Sequence, residues 1–191
     1  MRIIAGELGG RRLQTPKGEN TRPTTDRVRE ALFSILGDHV QEAAVLDCFA
    51  GSGALGLEAW SRGAKSVVFV EPDRHAAACV QANIDALFKG EASPAPTLLK
   101  LTAERALPKL AKQGLRFDLV FMDPPYDANL YTPTLLALTA LHLLNPGAIV
   151  VCEHGRKAGV ICAPSPLALL DTRGYGDTHL TLFKEGSEPC A

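Results

Sequence analysis

The sequence predicts an α/β fold built on a mainly parallel sheet, and three patterns carry that prediction. From residue 44 onward, short apolar runs alternate with stretches of helical period. Several runs, such as Leu119-Val120-Phe121-Met122, are apolar throughout, as befits strands covered on both faces. A glycine turn, Gly51-Ser52-Gly53, separates the first run from the first of these helices, where open parallel sheets bind ligands.

In chain order, Ile3-Ile4-Ala5 and Arg11-Arg12-Leu13-Gln14 flank Gly6, Gly9 and Gly10, the pattern of a β-hairpin. A helix follows, capped by Thr24 or Thr25, with Asp26 in its first turn and Gly37 at its end. Val28, Ala31, Leu32, Ile35 and Leu36 recur on one face of it. Strands are expected at 44–47, 66–70, 97–101, 119–122 and 148–152, with helices through 57–60, 73–87, 104–112 and within 130–143. Leu167–Thr172 and Thr178–Lys184 flank Gly174-Tyr175-Gly176-Asp177, a hairpin that closes the sheet. The expected organisation is an N-terminal hairpin-and-helix extension over 1–40, a core domain over 41–185 and a disordered tail over 186–191.

Composition narrows the class. Hydrophobic residues make up 46% of the 191 and charged residues 21%, as in an ordinary globular chain that can bury a core without staples. No apolar run approaches the ~18–20 residues that span a bilayer. The five cysteines form no C-x-x-C pair, and the five histidines show no ligand spacing, so neither a disulfide framework nor a metal is expected. A reduced, cytoplasmic protein fits. The net charge of −1 hides an asymmetry: residues 1–29 carry +4 and the rest −5. A basic arm on an acidic body suits either a polyanion partner or a solvated surface segment.

The first turn reads Asp47-Cys48-Phe49-Ala50-Gly51-Ser52-Gly53, and residues 51–56 satisfy G-x-G-x-x-G. Glycines there let the backbone approach a ligand where a Cβ would collide. Asp47 at the strand end would repel a pyrophosphate, but it suits the ammonium of a zwitterionic amino acid, often through water. Glu71 ends the second strand, 18 residues past Gly53, where a carboxylate can accept from both ribose hydroxyls. These features admit NAD or S-adenosylmethionine, and the D-x-F-x-G-x-G spacing leans to the latter. In the plainer alternative, both acids merely cap neighbouring helices.

Asp123-Pro124-Pro125-Tyr126 follows the fourth strand. Two prolines remove two backbone donors and leave carbonyls free to accept. The Asp123 carboxylate and the Pro124 carbonyl can therefore hold both hydrogens of an –NH2 group and aim its lone pair. An exocyclic base amine needs such help because its lone pair is delocalised into the ring. Tyr126 offers a face for a flipped base to stack on, worth ~1–3 kcal/mol.

Together these sites resemble the Asp-Pro-Pro-Tyr class of amino methyltransferases. Arg2-Ile3-Ile4-Ala5-Gly6, Gly10-Arg11-Arg12-Leu13, Arg22 through Phe33, Val45–Gly63 and Tyr175-Gly176-Asp177-Thr178 narrow the likeness. They are similar to the RsmD-type 16S rRNA guanine-N2 methyltransferases, over nearly the whole chain to about residue 184. The resemblance implies a Rossmann-like seven-stranded S-adenosylmethionine-dependent methyltransferase sheet with an antiparallel last strand, and no metal. It implies cofactor contacts from Asp47, Phe49, Gly51, Ser52, Gly53 and Glu71, with Thr102 and Ala103 near the adenine. Thr102 departs from the Asp or Asn common at that position and brings a hydroxyl without charge. Catalysis is expected from Asp123, Pro124 and Tyr126, and contact with RNA or the target base from Arg11, Arg12, Arg22, Thr24, Arg27 and Pro125. The implied partner is 16S rRNA or the small ribosomal subunit, with no obligate protein partner.

Rival readings differ in what they leave unused. A nicotinamide-dependent oxidoreductase gives Asp123–Tyr126 no role, and a non-catalytic RNA-binding assembly factor leaves both motifs idle. A DNA adenine or cytosine methyltransferase would share Asp-Pro-Pro-Tyr, and the basic N-terminal segment is what favours RNA. His39, His75, His142, His154, His179 and Glu153 are read as structural or surface residues.

Overall fold

Apolar runs that cannot be left in water and helices with one apolar face assemble here into a single sheet covered on both sides. The structure, a computed structural model, describes residues 1–16, 25–88, 95–125, 130–156 and 159–186. The strands are β1 (Ala44–Asp47), β2 (Ser66–Val70), β3 (Thr97–Leu99), β4 (Phe117–Met122), β5 (Leu144–Gly155), β6 (Leu167–Tyr175) and β7 (Thr178–Glu185). The helices are α1 (Asp26–Leu36), α2 (Ala54–Ser61), α3 (Arg74–Leu87), α4 (Ala103–Lys112) and α5 (Tyr131–Ala140), with a 3-10 turn at Gly37–Val40. The strand order is β3-β2-β1-β4-β5-β7-β6. β1 to β5 pair in parallel, whereas β7 runs antiparallel to both β5 and β6. This is the seven-stranded α/β sheet with an antiparallel last strand that the sequence led us to expect.

Alternation along the strands separates two cores. Val45, Phe69, Phe121 and Val151 face one way and pack under α1, α2 and α3 through Leu32, Phe33, Leu57 and Val80. Leu46, Val68, Val120 and Val150 face the other way, against Leu107 and Leu110 of α4 and Leu135 and Leu138 of α5. Order reverses between β1 and β4, so the carboxyl ends of these strands form the crevice where such sheets bind ligands.

Local boundaries follow local chemistry. The Thr25 hydroxyl accepts from the Val28 amide 3.3 Å away to start α1, and Gly37 ends it at φ +49°. β3 stops at Leu99, two residues before the expected end, where the chain turns toward α4. β5 outruns its apolar run because β4 and β7 pair with it on both sides. The N-terminal hairpin closes through one antiparallel bridge, Arg2 to Arg12, supported by Ile3 N donating to Arg11 O and Gly10 N to Ile3 O, both at 2.9 Å. Ile3 and Leu13 are buried in the same core as α1. Among the described residues no helix is long and apolar enough to cross a membrane.

Candidate active site

The cofactor-type turn is shaped by two carboxylates holding backbone amides. Gly51 and Gly53 take φ of +55° and +77°, a region where side-chain-bearing residues are strained. A Cβ built on Gly51 meets nothing within 4 Å, so this glycine borders open space. A Cβ on Gly56 would lie 2.3 Å from the Phe69 ring, so the third glycine of the motif lets α2 seat on β2. Asp47 accepts from the Gly56 amide at 3.0 Å. Glu71 accepts from the Gly51 amide and the Asp73 amide, both at 2.8 Å. Both acids thus do the plain work of holding turns. Each carboxylate can accept about four hydrogen bonds, which leaves capacity for a ligand.

Four acids converge at this sheet edge: Asp47 ends β1, Glu71 and Asp123 directly follow β2 and β4, and Glu153 lies near the end of β5. Phe121, two residues before Asp123, pairs with Asp47, and the Met122–Cys152 pair sets Asp123 level with Glu153. Burial pushes the Asp47 carboxyl up to about 7, opposed by the Gly56 amide and assisted by the charge on Glu71. Asp123 is raised well above the ordinary carboxylate range by burial, then by the charges of Glu153 and Asp47. Glu71 is raised too, chiefly by burial. Asp123 nonetheless keeps part of its surface exposed, with Pro124 buried behind it and Pro125 exposed beyond.

A buried arginine of α1 lies near enough to Glu153 to feel its charge. Arg29 is fully buried; its Nη2 donates to Arg2 O at 2.6 Å and to Asp26 at 2.9 Å. Its Nε and Nη1 have no acceptor among the described residues. Burial lowers its pKa, while the charges of Asp26, Glu58 and Glu153 act the other way. Beside Glu153, His154 bonds the Thr181 hydroxyl at 2.9 Å and stacks on His179, and Tyr131 donates to Glu153 O at 2.6 Å. Among the described residues no group of His, Cys, Asp and Glu is arranged to hold a metal.

The remaining sequence candidates divide clearly. Phe49 and Ser52 are half-buried in the turn after β1. Thr102 caps α4 with an exposed side chain that makes no cap bond, and Ala103 is buried. Arg11, Arg12 and Arg27 are exposed. Arg22, Thr24 and Tyr126 lie outside the described residues. Sequence reasoning missed Glu58, Asn83 and Arg29, and set Glu153 aside as structural. Polar residues on the apolar faces of helices were the available signal. Glu58 is fully buried in α2, where it accepts from the Ile4 and Ala5 amides at 2.7 and 3.1 Å and pairs with Arg62 at 2.7 Å.

Buried acids holding a glycine turn, with open space over Gly51, are chemically suited to a ligand carrying an ammonium and a ribose. The family described as conserved hypothetical protein 95 matches residues 1–184. Ribosomal RNA small subunit methyltransferase D of Escherichia coli K12 is 35% identical over 188 residues, covering 98% of this chain and 91% of that protein. The solved structure of Escherichia coli yhhF, provisionally named a methyltransferase, superposes with a TM-score of 0.84 at 34% identity, covering 98% of this chain and 99% of that one. A more distant fold relative, SMU.776, solved in complex with SAH, superposes at 0.63 with 16% identity over 83% of this chain and 48% of that one. With a family match over 184 residues, the chain belongs to the RsmD family and is a methyltransferase.

Proposed function

We propose that this protein uses S-adenosylmethionine to methylate the exocyclic N2 amine of a guanine in small-subunit ribosomal RNA. The observation that carries the reading is the placement of Asp123 and Pro124 at the end of β4, beside the Asp47 turn on the neighbouring strand. Ribosomal RNA as substrate class is supported by the 35% identity to the Escherichia coli small subunit methyltransferase. That substrate would place the protein in the cytoplasm.

S-adenosylmethionine, when bound, supplies an electrophilic methyl group on a sulfonium. Asp47 would hold its ammonium, Glu71 its ribose hydroxyls and the Gly51–Gly53 backbone its close approach, with Phe49, Ser52, Thr102 and Ala103 around the nucleoside. The Asp123 carboxylate and Pro124 carbonyl accept the two hydrogens of the target amine, pointing its lone pair along the line of attack. Alignment of this kind is worth about 7–11 kcal/mol in well-oriented reactions. Asp123 or water would take the surplus proton of the methylated amine, whose new N–C bond replaces the C–S bond of the cofactor and leaves S-adenosylhomocysteine. A carboxyl raised by burial and by Glu153 is a stronger base than a free one, which suits that task. Pro125 and Tyr126 would meet the flipped base, and Arg11, Arg12, Arg22, Thr24 and Arg27 would meet RNA.

The test is transfer of labelled methyl to unmodified small subunits, naked 16S rRNA and duplex DNA, followed by digestion to nucleosides. Label in N2-methylguanosine from ribosomal substrates alone is expected. Label in methylated adenine or cytosine would keep the chemistry and replace the substrate.

A further inference from the structure

Asn83 sits in the middle of the buried face of α3, with Val80 and Ile84, and is 2% exposed. An amide there costs stability unless it is hydrogen-bonded, and this one is used at both ends. Its Oδ1 accepts from the Gln14 amide at 2.7 Å, and its Nδ2 donates to Gln14 O at 2.9 Å. The side chain therefore pairs with the N-terminal arm as a neighbouring strand would. The same Nδ2 donates to Ser52 O at 3.0 Å, between the two glycines of the cofactor-type turn. A second contact joins the same two segments, from the Ser52 hydroxyl to Met1 Sδ at 3.4 Å.

The other strand of the arm is held by the helix that the turn begins. Ile4 and Ala5 donate to Glu58 of α2, Leu8 N donates to the Ser61 hydroxyl at 2.9 Å, and that hydroxyl donates to Ala5 O at 2.6 Å. Gly6 approaches Ser61 so closely that a Cβ would lie 1.8 Å from its carbonyl oxygen. Both strands of the basic hairpin are thus fastened to the turn or to the helices flanking it. Arg11 and Arg12 lie three and two residues before Gln14.

We propose that Asn83 is a positioning residue that couples the two ligands of the reaction: ordering of the Gly51–Gly53 turn by the cofactor orders the Arg11-Arg12 arm, and RNA on the arm tightens the cofactor. The coupling is reciprocal by linkage. It rests on the proposed cofactor and on the arm as an RNA-contacting segment.

Hydrogen exchange of the full-length protein with and without S-adenosylhomocysteine tests it independently of turnover. In the wild type, S-adenosylhomocysteine is expected to slow exchange both in peptides over 49–56 and in peptides over 1–16. In Asn83→Ala the turn should remain protected, protection of the arm should vanish, and the Kd for S-adenosylhomocysteine should rise about five- to tenfold, the equivalent of one hydrogen bond. Gln14→Pro removes the arm's own N–H from an exposed position outside the core, and should uncouple the arm in the same way if Asn83→Ala folds poorly. The proposal is overturned if the turn is protected and the arm is not in the wild type. It is equally overturned if the bound-to-free exchange ratio of the arm is unchanged in both variants, since a purely structural asparagine would speed exchange in both states alike. Absence of protection anywhere would overturn the cofactor reading, and this coupling with it.

Discussion

Burial raises the carboxyls in both halves of the crevice, and the halves differ in what stands beside those carboxyls. On the β1–β2 side, carboxylates meet backbone N–H groups: Asp47 takes the Gly56 amide, and Glu71 takes those of Gly51 and Asp73. On the β4–β5 side, Asp123 meets other carboxylates, with Glu153 level with it across the strand pair and Asp47 beyond. Among the described residues no backbone amide donates to it. The first half therefore has its turn shaped by the chain's own amides, which a bound ligand would tighten further. The second holds a carboxyl whose charge is disfavoured until a donor such as an –NH2 group reaches it. The comparison teaches that one sheet edge can hold an amide-held binding turn and a poised acceptor, according to whether amides or acids surround each carboxylate.

Replacing Asp123 with Ala should break the poised half alone. Single-turnover transfer is expected to fall by about 10³-fold or more, in line with the value of alignment and a positioned acceptor. Calorimetric affinity for S-adenosylhomocysteine should change little. Substantial turnover in that variant would remove Asp123 from the chemistry.

The amide-held half is open to a pH test. A carboxyl raised from 3.8 to about 7 in the folded protein binds a proton that the unfolded chain has released, so Asp47 costs stability increasingly as pH rises from about 4 to about 7, and fully above that. Asp47→Asn should therefore raise Tm at pH 8 and leave it nearly unchanged at pH 3.5. An ammonium ligand requires the ionised form, so wild-type affinity for S-adenosylhomocysteine should increase up to about tenfold between pH 6 and 7.5, a dependence abolished in Asp47→Asn. A flat wild-type profile would mean that the ammonium is held elsewhere.

The smallest expected effect concerns the approach of RNA to the poised half. Arg11→Ala with Arg12→Ala should weaken RNA binding and reduce the slope of log affinity against log salt by about 0.7–0.9 for each phosphate that the arm no longer neutralises. S-adenosylhomocysteine affinity in the absence of RNA should be unaffected. An unchanged slope would take these arginines off the RNA path.

Much of this architecture is readable along the chain because its causes are local. Continuous apolar runs predict β1, β2 and β4 closely, and Thr25 and Gly37 bound α1 through their own side chain and backbone. Gly51, Gly53 and Gly56 are legible because a turn followed by a close-packed helix tolerates little else. Glu153 is illegible as a partner of the site because its neighbour in space, Asp123, is 30 residues away and only strand register makes the two level. Asn83 and Glu58 have the same difficulty: one polar residue in an apolar helix face gives no hint that its partners are Gln14, Ser52, Ile4 and Ala5.

The sequence by itself determined the alternation of strands and helices, the glycine turn and the residue types at each strand end, since these depend on burial and backbone freedom within a few residues. Tertiary structure alone decided which of those ends stand side by side, and so which carboxylates share a field. It also decided that the basic arm is fastened to the glycine turn through a buried amide. The physical reason is range: propensity and periodicity act within a helical turn, whereas a raised pKa or a bridging hydrogen bond depends on atoms that only sheet order and helix packing bring together.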